Sequence, residues 1–380
     1  MSRPTTIAID GNHLLKARVG LGQYAKGLLE AMAKADAGSE YLVFALGRST
    51  RLDAAPVLAP NVSYRVRPIP RRFQERLLLA GLAPPMELLV GRRPDICIWP
   101  NFISWPTLPR VGNVVVIHDL RYLLHGQFMT GHDRDYYLRL VPRALRRADR
   151  VIAVSGSCRR ELEEHLGVPA ERIAVVPPAI EPERFHPRSE EEIERVTRAL
   201  GVRGPYILYT GTIEPRKNLV SLLDAYAALP RELHETYTLV LAGGQGWLDG
   251  DIRRRLDELS TLPILTTGYV SDADLPALYS GARLFVYPSL YEGFGMPPLE
   301  AMACGVPVIT SNASSLPEVV GDAGLMVAPT DTPGLSSAIE RVLTDAELAA
   351  GMRERGLLRA QGRTWSRSAR LMLDVVSELR

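Results

Sequence analysis

The sequence predicts an α/β protein built from two doubly wound, Rossmann-like domains. At 380 residues the chain exceeds the size at which one hydrophobic core usually stops growing. Short apolar segments alternate with amphipathic helical segments, and this alternation occurs twice, interrupted by a proline-rich and charged stretch at 175–192. Repeated strand–helix alternation is typical of parallel sheets with helices on both faces, so we expect one such sheet in each half.

The predicted strands are short apolar runs that lack strict alternation, as expected for strands buried on both faces. In chain order they are TIAID, YLVFAL, DICIWP, NVVVIHD, RVIAVS and IAVVP in the first half, then YILYTG, YTLVLAGG, ILTTGYV, LFVYPS and PVITSN in the second. The prolines of VVPPAIEPERFHPRSEEE separate the two sets before the helical segment EEIERVTRAL. We therefore predict domains at 1–186 and 187–362, followed by a C-terminal helix at 363–380.

The composition predicts a soluble, cytoplasmic protein. Hydrophobic residues make up 46% of the chain and charged residues 23%, as in ordinary globular proteins. Cys97, Cys158 and Cys304 lie far apart and form no CxxC pair, so we expect reduced thiols and neither a disulfide nor a zinc site. The N-terminal segment has no apolar signal core, and no apolar run approaches the roughly 20 residues of a membrane span.

Charge is distributed unevenly between the two halves. Residues 1–186 contain 26 Lys and Arg against 18 Asp and Glu, whereas the remainder contains 19 against 25. Much of the basic excess lies in RPIPRRFQER and PRALRRADR. Either this is chance variation over solvated surfaces, or the first domain faces an anionic partner such as lipid head groups or a phosphate-bearing acceptor. Aromatic residues are not interleaved with the basic runs, so nucleic acid is not an expected partner.

Two carboxylates and two glycines are concentrated in PSLYEGFGMPPLEAMACGVPVITSN, at 288–312. A predicted strand precedes this loop, and a helix with prolines in its first turn follows it. Gly293 and Gly295 allow backbone N–H groups to approach a ligand, and a helix N-terminus favours a phosphate. Glu292 and Glu300 lie at the same mouth and suit the vicinal hydroxyls of a sugar and a ribose. For Glu300 alone, compensation of the helix dipole in the first turn is the simpler explanation.

Several segments together resemble the retaining, nucleotide-sugar-dependent glycosyltransferases of family 4, which have the GT-B fold. They run from GLGQYAKGLLEAM through VIHDLRYL, RADRVIAVS and GTIEPRKNL to GYVSDADLPALYSGARLFVYPSLYEGFGMPPLEAMACGVPVITSNASSLPEVVGDAGLMVAP and cover nearly the whole chain. Glu292 and Glu300 match the E-x7-E motif of that family. The chain looks especially like the bacterial mannosyltransferase-like branch of O-antigen and other surface-polysaccharide biosynthesis. The resemblance implies two Rossmann-like domains facing a cleft, with a terminal helix that crosses back to the first domain.

The resemblance also implies roles for residues of the second domain. Glu292 would hold the hydroxyls of the donor sugar at the reaction centre, and Glu300 would bind the ribose hydroxyls of the nucleotide. The backbone of Phe294, Gly295 and Met296 would lie against the sugar and the diphosphate.

Cations are supplied by YTGTIEPRKN, in which Gly211 ends a strand and Arg216 and Lys217 follow. Two neighbouring cations are usually a solvated surface, but within this match we expect both to bind the diphosphate, whose charge grows as it leaves. Many relatives carry an arginine directly after the glycine, where this chain has Thr212. That difference leaves the division of work between Arg216 and Lys217 open.

The first domain contributes two glycines and a histidine to the predicted site. Gly20 and Gly22 follow the first strand, and the resemblance makes them part of a glycine loop whose amides meet the diphosphate; simple turn glycines are the alternative. His118 ends the strand VVVIH, where a lone histidine is more often structural, but the resemblance places it near the sugar hydroxymethyl group. Asp119 would either orient His118 or cap the next helix.

Two D-x-D sequences, at 133–135 and 272–274, raise the question of a divalent metal ion. The first lies within a helical pattern and the second in VSDADLPALY, an N-cap region, so we interpret both as incidental. The predicted reaction therefore needs no metal and no cofactor, since the nucleotide sugar is a substrate. Tyr269 and Val270, at the strand end before the second motif, would contact the base.

Together these features predict a cytoplasmic hexosyltransferase that works with retention of configuration. Its branch implies GDP-mannose as donor, with UDP-sugars left open, and a glycan or polyprenyl-diphosphate-linked acceptor reached by peripheral contact at the inner face of the cell membrane. No carboxylate nucleophile is evident, so same-face attack assisted by the leaving phosphate is expected. The alternatives are a GT-B nucleotide-sugar epimerase, a retaining glycosidase, which has no use for the cations, and a dinucleotide-binding module, for which no G-x-G-x-x-G follows the first strand.

Overall fold

The computed structural model describes residues 3–14, 20–47, 57, 59–246 and 249–380. The chain divides into two compact units: unit 1 comprises Met1–Ala179 with Trp365–Arg380, and unit 2 comprises Ile180–Thr364. The boundaries that the sequence predicts, at 186 and 362, lie a few residues from these limits.

The segment after Ile180 belongs to unit 2 because it is bonded there. The Ile180 N–H donates to Arg363 O at 3.1 Å, and the Phe185 ring lies 6.4 Å from that of Tyr279. The prolines at 177 and 178 therefore mark the transition more closely than the charged residues that follow them.

Unit 1 alternates strands and helices. Its elements up to residue 179 are β1 (Thr6–Asp10), α1 (Gly20–Ala35), β2 (Glu40–Leu46), β3 (Val62–Arg67), α2 (Arg71–Ala80), α3 (Met86–Val90), β4 (Ile96–Trp99), β5 (Gly112–Ile117), α4 (Arg121–Leu124), α5 (Gly131–Arg147), β6 (Arg150–Ala153), α6 (Gly156–Leu166) and β7 (Ile173–Val175). Over the described residues the strands form one parallel sheet in the order β3-β2-β1-β4-β5-β6-β7.

Unit 2 repeats this plan. Its elements are α7 (Glu190–Ala199), β8 (Tyr206–Thr210), α8 (Leu219–Ala227), α9 (Arg231–Thr236), β9 (Thr238–Ala242), α10 (Gly250–Glu258), β10 (Ile264–Gly268), α11 (Leu275–Ser280), β11 (Leu284–Tyr287), α12 (Met296–Ala303), β12 (Val308–Ser311), α13 (Leu316–Val320), β13 (Leu325–Val327), α14 (Thr332–Thr344) and α15 (Ala346–Gln361). Its described strands are also parallel, in the order β10-β9-β8-β11-β12-β13.

These sheets confirm the predicted fold class of two doubly wound α/β domains. Central strands are buried on both faces, which explains their unbroken apolar sequences: Val114, Val115, Val116 and Ile117 of β5 are each 0% exposed. In both sheets the strand order reverses next to the first strand of the unit, between β1 and β4 and between β8 and β11. Ligands of open α/β sheets bind beyond the carboxyl ends of the strands at such a reversal.

The last helix, α16 (Trp365–Ser377), returns to unit 1, where it packs on α1. The Trp365 ring lies so close to α1 that a Cβ on Gly27 would approach its indole to 2.4 Å. Beyond the helix, Arg380 pairs with Asp36 at 2.9 Å. Within the described ranges, no helix is both long and apolar enough to span a membrane.

Candidate active site

The predicted donor residues of unit 2 lie at the carboxyl ends of β8 and β11, where the strand order reverses. Gly211 directly follows β8 with φ of 139°, and a Cβ there would lie 2.9 Å from the Tyr209 hydroxyl, so glycine is required. The loop at 288–295 follows β11. The Leu290 N–H donates to Arg216 O at 2.9 Å and thereby joins the loops that follow the two strands.

Glu292 is held by three donors at one oxygen. Its Oε1 lies 2.6 Å from Lys217 Nζ and 2.9 Å from Arg216 Nη1, and it accepts from the Tyr287 hydroxyl at 2.9 Å. Burial alone would raise the pKa of this carboxyl, but the Arg216 and Lys217 cations outweigh burial and hold the pKa at about 2. Glu292 is therefore ionised at neutral pH and can only accept hydrogen bonds.

Arg216 also pairs with a second carboxylate, Glu214, which the sequence patterns did not single out. Arg216 Nη2 lies 2.5 Å from Glu214 Oε1, and Arg216 Nη1 donates to Tyr291 O at 2.7 Å. Glu214 is 2% exposed and serves as a buried counter-ion. Burial, together with the Arg216 charge, lowers the pKa of Lys217 to about 8, although Glu292 opposes this shift. The sequence feature that could have identified Glu214 is its position in TIEPRKN, two residues before Arg216.

Glu300 has different partners. The Tyr279 hydroxyl donates to Glu300 Oε2 at 3.0 Å and itself lies 2.6 Å from Thr210 Oγ1. Burial raises the pKa of Glu300 to about 7, although the Tyr279 hydrogen bond and the Arg184 charge lower it. Because α12 begins at Met296, Glu300 is its fifth residue. The expectation of a first-turn position is therefore wrong, and dipole compensation no longer explains this acid.

The predicted sugar-and-diphosphate segment forms the turn into α12. Gly295 is the helix N-cap with φ of 110°, and a Cβ there would approach Leu316 Cδ2 to 2.8 Å. The Ser315 hydroxyl donates to Phe294 O at 2.7 Å and fixes the turn. Met296 starts the helix, and because Pro297 and Pro298 carry no N–H, the backbone donors at this helix start that could face an anion are those of Gly295 and Met296.

The predicted base contacts follow β10. Tyr269 is 62% exposed, whereas Val270 is 8% exposed. The Tyr269 ring is thus accessible and Val270 is buried. Contact of either residue with the base stays a prediction.

In unit 1, Gly20 and Gly22 lie inside α1 and not in a loop before it, because the helix begins at Gly20. The loop residues predicted to accompany them, 15–19, lie outside the described residues. Contact between the backbone amides of these glycines and a diphosphate stays a prediction.

His118 follows β5 and packs between aromatic rings. Its Nε2 lies 2.7 Å from Pro100 O, which requires a proton on Nε2, since a carbonyl oxygen only accepts. The rings of Tyr24 and Phe102 lie 5.1 and 5.5 Å from it. Burial lowers the pKa of His118, although the Pro100 contact and the Asp119 charge raise it. Asp119 Oδ1 accepts from the N–H of Arg121, the first residue of α4, at 3.0 Å, while the N-cap residue itself is Leu120 and makes no side-chain cap.

Unit 1 also contains a cavity of about 720 Å³ that the sequence patterns did not predict. Polar and aromatic side chains line it, from the ends of β1, β2 and β4 and from α2 and α5; they include Asp10, Asn12, Trp99, Asn101 and Tyr137. Burial raises the pKa of Asp10 to about 6, although hydrogen bonds from Asn12 lower it. Within the described residues, the buried Oδ1 of Asn101 has no hydrogen-bond partner. A polar cavity with aromatic walls suits a ligand rich in hydroxyl groups.

Three of the four carboxylates of the two D-x-D sequences are engaged with neighbours. Asp272 lies 3.3 Å from Arg184 and Asp274 lies 3.0 Å from Arg195, while Asp133 accepts from the hydroxyl of the α5 N-cap residue at 2.8 Å. In the part of the chain that the structure describes, no three His, Cys, Asp or Glu side chains are grouped to hold a metal ion. Independence of metal stays a prediction.

Comparison with known families gives a match in each half. Residues 19–184 match the family described as Glycosyltransferase Family 4, and residues 190–359 match Glycosyl transferases group 1.

Two curated relatives come from Escherichia coli. O-antigen chain mannosyltransferase B is 41% identical over 273 residues, which cover 70% of this chain and 70% of the relative. Serotype-specific mannosyltransferase WbdA is 32% identical over 337 residues, which cover 86% of this chain but 40% of that longer protein.

Solved structures share the fold. Sucrose-phosphate synthase from Thermosynechococcus elongatus has a TM-score of 0.76 at 24% identity, covering 99% of both chains. HepE from Anabaena, in complex with UDP-glucose, has a TM-score of 0.72 at 18% identity, covering 98% of this chain and 99% of HepE.

Proposed function

Because the chain belongs to the group 1 and family 4 glycosyltransferases, and is a hexosyltransferase with the GT-B fold, we propose that it transfers mannose from GDP-mannose to a glycan acceptor with retention of configuration. The observation that carries the proposal is the buried cluster of Arg216, Lys217 and Glu292 at the ends of β8 and β11. The names of the two E. coli relatives support mannose as the sugar.

The cluster can exchange partners when a diphosphate arrives. Arg216 and Lys217 now neutralise Glu292, and a diphosphate would supply stronger anionic partners for both cations. Glu292 would then direct its lone pairs to hydroxyls of the sugar. Glu214 keeps Arg216 in place during this exchange, since it bonds the other guanidinium nitrogen. The cations finally stabilise the charge that grows on the departing diphosphate.

Glu300 supports the nucleotide. With its pKa raised to about 7, it is partly ionised at neutral pH. Two ribose hydroxyls would donate to this carboxylate beside the Tyr279 hydroxyl, and their hydrogen bonds would favour the ionised form.

Retention is best explained by same-face attack. Glu292, the acid nearest the predicted sugar, is neutralised by two cations and has a pKa of about 2, which makes it a poor nucleophile. The leaving phosphate oxygen would instead accept the acceptor proton. We assign the acceptor to the cavity of unit 1, whose amides, aromatic rings and Asp10 suit a glycan. An acceptor linked to polyprenyl diphosphate would require contact with the membrane surface.

A donor screen tests the proposal. GDP-mannose, UDP-glucose, UDP-GlcNAc and dTDP-rhamnose are compared by thermal shift and by sugar consumption, with and without a mannose-terminated acceptor. We expect stabilisation and turnover with GDP-mannose, and an α-linked product by NMR, since the donor is α-linked. If a UDP-sugar were turned over and GDP-mannose were not, the proposed donor would be wrong. A β-linked product would contradict retention of configuration. Interconversion of sugars without acceptor would indicate an epimerase, and cleavage of glycosides without nucleotide would indicate a glycosidase.

A further inference from the structure

Three large apolar side chains are exposed within one short stretch of unit 1. Phe73, Leu82 and Leu88 are 53%, 73% and 69% exposed. The other large apolar side chains that are exposed in the described part of the chain are scattered singly, as is normal for a protein surface. This concentration therefore calls for a partner.

The helix that carries Phe73 is fixed by its opposite face. Leu78 of α2 is buried, and Arg143 Nη1 donates to the carbonyls of Leu78 and Leu79 at 2.8 and 3.0 Å. Because a helix has 3.6 residues per turn, positions 72, 73 and 76 lie on the side of α2 that is opposite Leu78. Gly81 ends α2 with φ of 72° and directs Leu82 outward.

Helix α3 is likewise anchored to the core by one face. Met86 and Val90 are buried, so Leu88, halfway between them, faces away from the core. The exposed apolar residues thus belong to two anchored helices and the connection between them.

The surface around these residues is strongly basic. Residues 65–93 contain seven arginines and two glutamates. Glu87 is buried and accepts from the Leu108 N–H, and Glu75 pairs with Arg71 at 2.6 Å. Neither acid therefore offsets the exposed Arg72, Arg76 and Arg93, whereas Arg92 is paired with Glu40.

We propose that this basic apolar surface, made of Arg72, Phe73, Arg76, Leu82, Leu88 and Arg93, binds a bilayer that contains anionic lipids. Exposed arginines attract anionic head groups at about 1 kcal/mol each, or about fivefold in partition. The apolar side chains insert below those head groups, as in other interfacial helices. A protein partner of the usual kind would leave fewer charges in the centre of its interface.

The position of α2 links this surface to catalysis, and this link rests on the proposed function. Arg71, Arg72, Gln74 and Leu78 of the same helix line the cavity assigned to the acceptor, so Arg72 lies at the border between surface and cavity. A glycan attached to a membrane lipid could keep its lipid in the bilayer while its sugar end enters the cavity.

Vesicle flotation tests the proposal without any enzymatic step. The full chain is mixed with vesicles of phosphatidylethanolamine and phosphatidylglycerol, or of phosphatidylcholine alone, at low and high salt. We expect binding to the anionic vesicles that weakens with salt. The triple variant Phe73→Ser/Leu82→Ser/Leu88→Ser should lose at least about tenfold in partition, and Arg76→Glu/Arg93→Glu more than about tenfold.

Matched controls lie on unit 2. Leu358→Ser removes an apolar side chain that is 62% exposed, and Arg198→Glu reverses an arginine whose side chain is 81% exposed; both should bind vesicles like the unmodified chain. Failure of the unmodified chain to float, or equal losses in the controls, overturns the proposal. So does a concentration-dependent dimer that only the triple variant loses, without vesicle binding.

An activity measurement separates this inference from the proposed function. The triple serine variant should transfer mannose to a water-soluble acceptor at the unmodified rate and lose transfer to a lipid-linked acceptor in vesicles. Vesicle binding without any mannose transfer would overturn the proposed function and leave the membrane surface in place. Equal transfer by the variant to both acceptors would overturn the link between surface and cavity.

Discussion

Glu292 and Glu300 are eight positions apart in the chain, yet their pKa values are shifted in opposite directions, to about 2 and about 7. Burial acts on both and disfavours the charged carboxylate. The difference comes from Arg216 and Lys217, which contact Glu292, whereas the group that bonds Glu300 is the neutral Tyr279 hydroxyl. One acid is therefore a permanent anion and the other titrates near neutral pH.

The two cations should be required for donor binding. Arg216→Ala and Lys217→Ala should each weaken GDP-mannose binding by about 1.5–3 kcal/mol, the value of a charge-assisted hydrogen bond, measured by calorimetric titration. Arg253→Ala, at an exposed arginine of unit 2, is the control and should leave affinity unchanged.

Removing both cations also leaves Glu292 buried without a counter-ion, which should cost about 3–5 kcal/mol of unfolding free energy. Adding Glu292→Gln to the double variant should restore much of that stability but not donor binding. Normal GDP-mannose affinity in this triple variant would disprove the assignment of the cations to the diphosphate.

The two acids should separate kinetically. Glu300→Gln should mainly raise the donor KM, because the ribose is bound alike in the ground state and the transition state. Glu292→Gln should mainly lower kcat, because its hydrogen bonds to the sugar act at the reacting centre. Steady-state kinetics with GDP-mannose measure both parameters. If both variants changed KM and kcat to the same extent, the two acids would not have separate roles.

Glu300 should also make stability depend on pH. Its folded pKa, about 7, lies above the ordinary value of 4.5, so the folded state binds the proton more tightly than the unfolded state. Stability from this group is then complete below pH 4.5 and is lost as pH rises through 7. The difference between a pKa of about 7 and one of 4.5 corresponds to a full loss of about 3 kcal/mol. Urea unfolding of Glu300→Gln should show a smaller decline between about pH 5 and 8 than the unmodified chain, and an identical decline would refute the shift.

The sequence singled out acids and cations of the candidate site but not their arrangement. Glu292, Arg216 and Lys217 stand out through motif and strand-end position, and the structure brings them together. Glu214 gave no comparable signal, because its role depends on a contact with Arg216 that only the folded loop creates. The cavity around Asp10 was missed for the same reason: its lining comes from five elements that are distant in sequence.

At the scale of elements, every inner strand of the described sheets was predicted, whereas two of their four edge strands were not. The prediction missed β3 and β13. In β3, VSYRVR, every second residue is exposed and two of these are arginines, so no continuous apolar run marks it. The other, β13, has three residues and pairs only with β12 within the described sheet. Each lies at the edge of its sheet, where a strand has one neighbouring strand and is only partly buried, so its sequence need not be continuously apolar.

The contact between α1 and α16 should be sensitive to one methyl group. Gly27→Ala would place a Cβ 2.4 Å from the Trp365 indole, so the ring or the helix must move. We expect a loss of about 1–2 kcal/mol in the free energy of unfolding, since overpacking outweighs the better helix propensity of alanine. Gly131→Ala in α5 has open space around its Cβ and is the matched control. Equal or higher stability of Gly27→Ala in urea unfolding would show that this contact relaxes freely.

At the scale of the whole molecule, the chain leaves unit 1 after Ala179 and returns to it at Trp365. Unit 1 therefore includes residues 365–380, which follow unit 2 in the chain. The predicted fold class includes this return, but it came from the resemblance to family 4. The helical pattern at 365–377 shows an apolar face and does not show which unit that face covers.

Deleting α16 should therefore damage unit 1 and spare unit 2. A chain that ends at Thr364 keeps Arg363, which bonds Ile180 and Glu318 within unit 2. It loses Met372, Val375 and Val376, which are buried, and the hydrogen bond from Ser368 Oγ to Pro177 O. Burial of such side chains contributes about 1.5–3 kcal/mol each, which together is comparable to the whole stability of a domain.

Calorimetry of the truncated chain should show a low-temperature transition for unit 1 and a second one that GDP-mannose still raises, with mannose transfer abolished. In the full-length chain, Met372→Ala should shift only the transition of unit 1, by a smaller amount. A truncated chain that melts and transfers mannose like the full-length protein would show that unit 1 folds without its C-terminal helix.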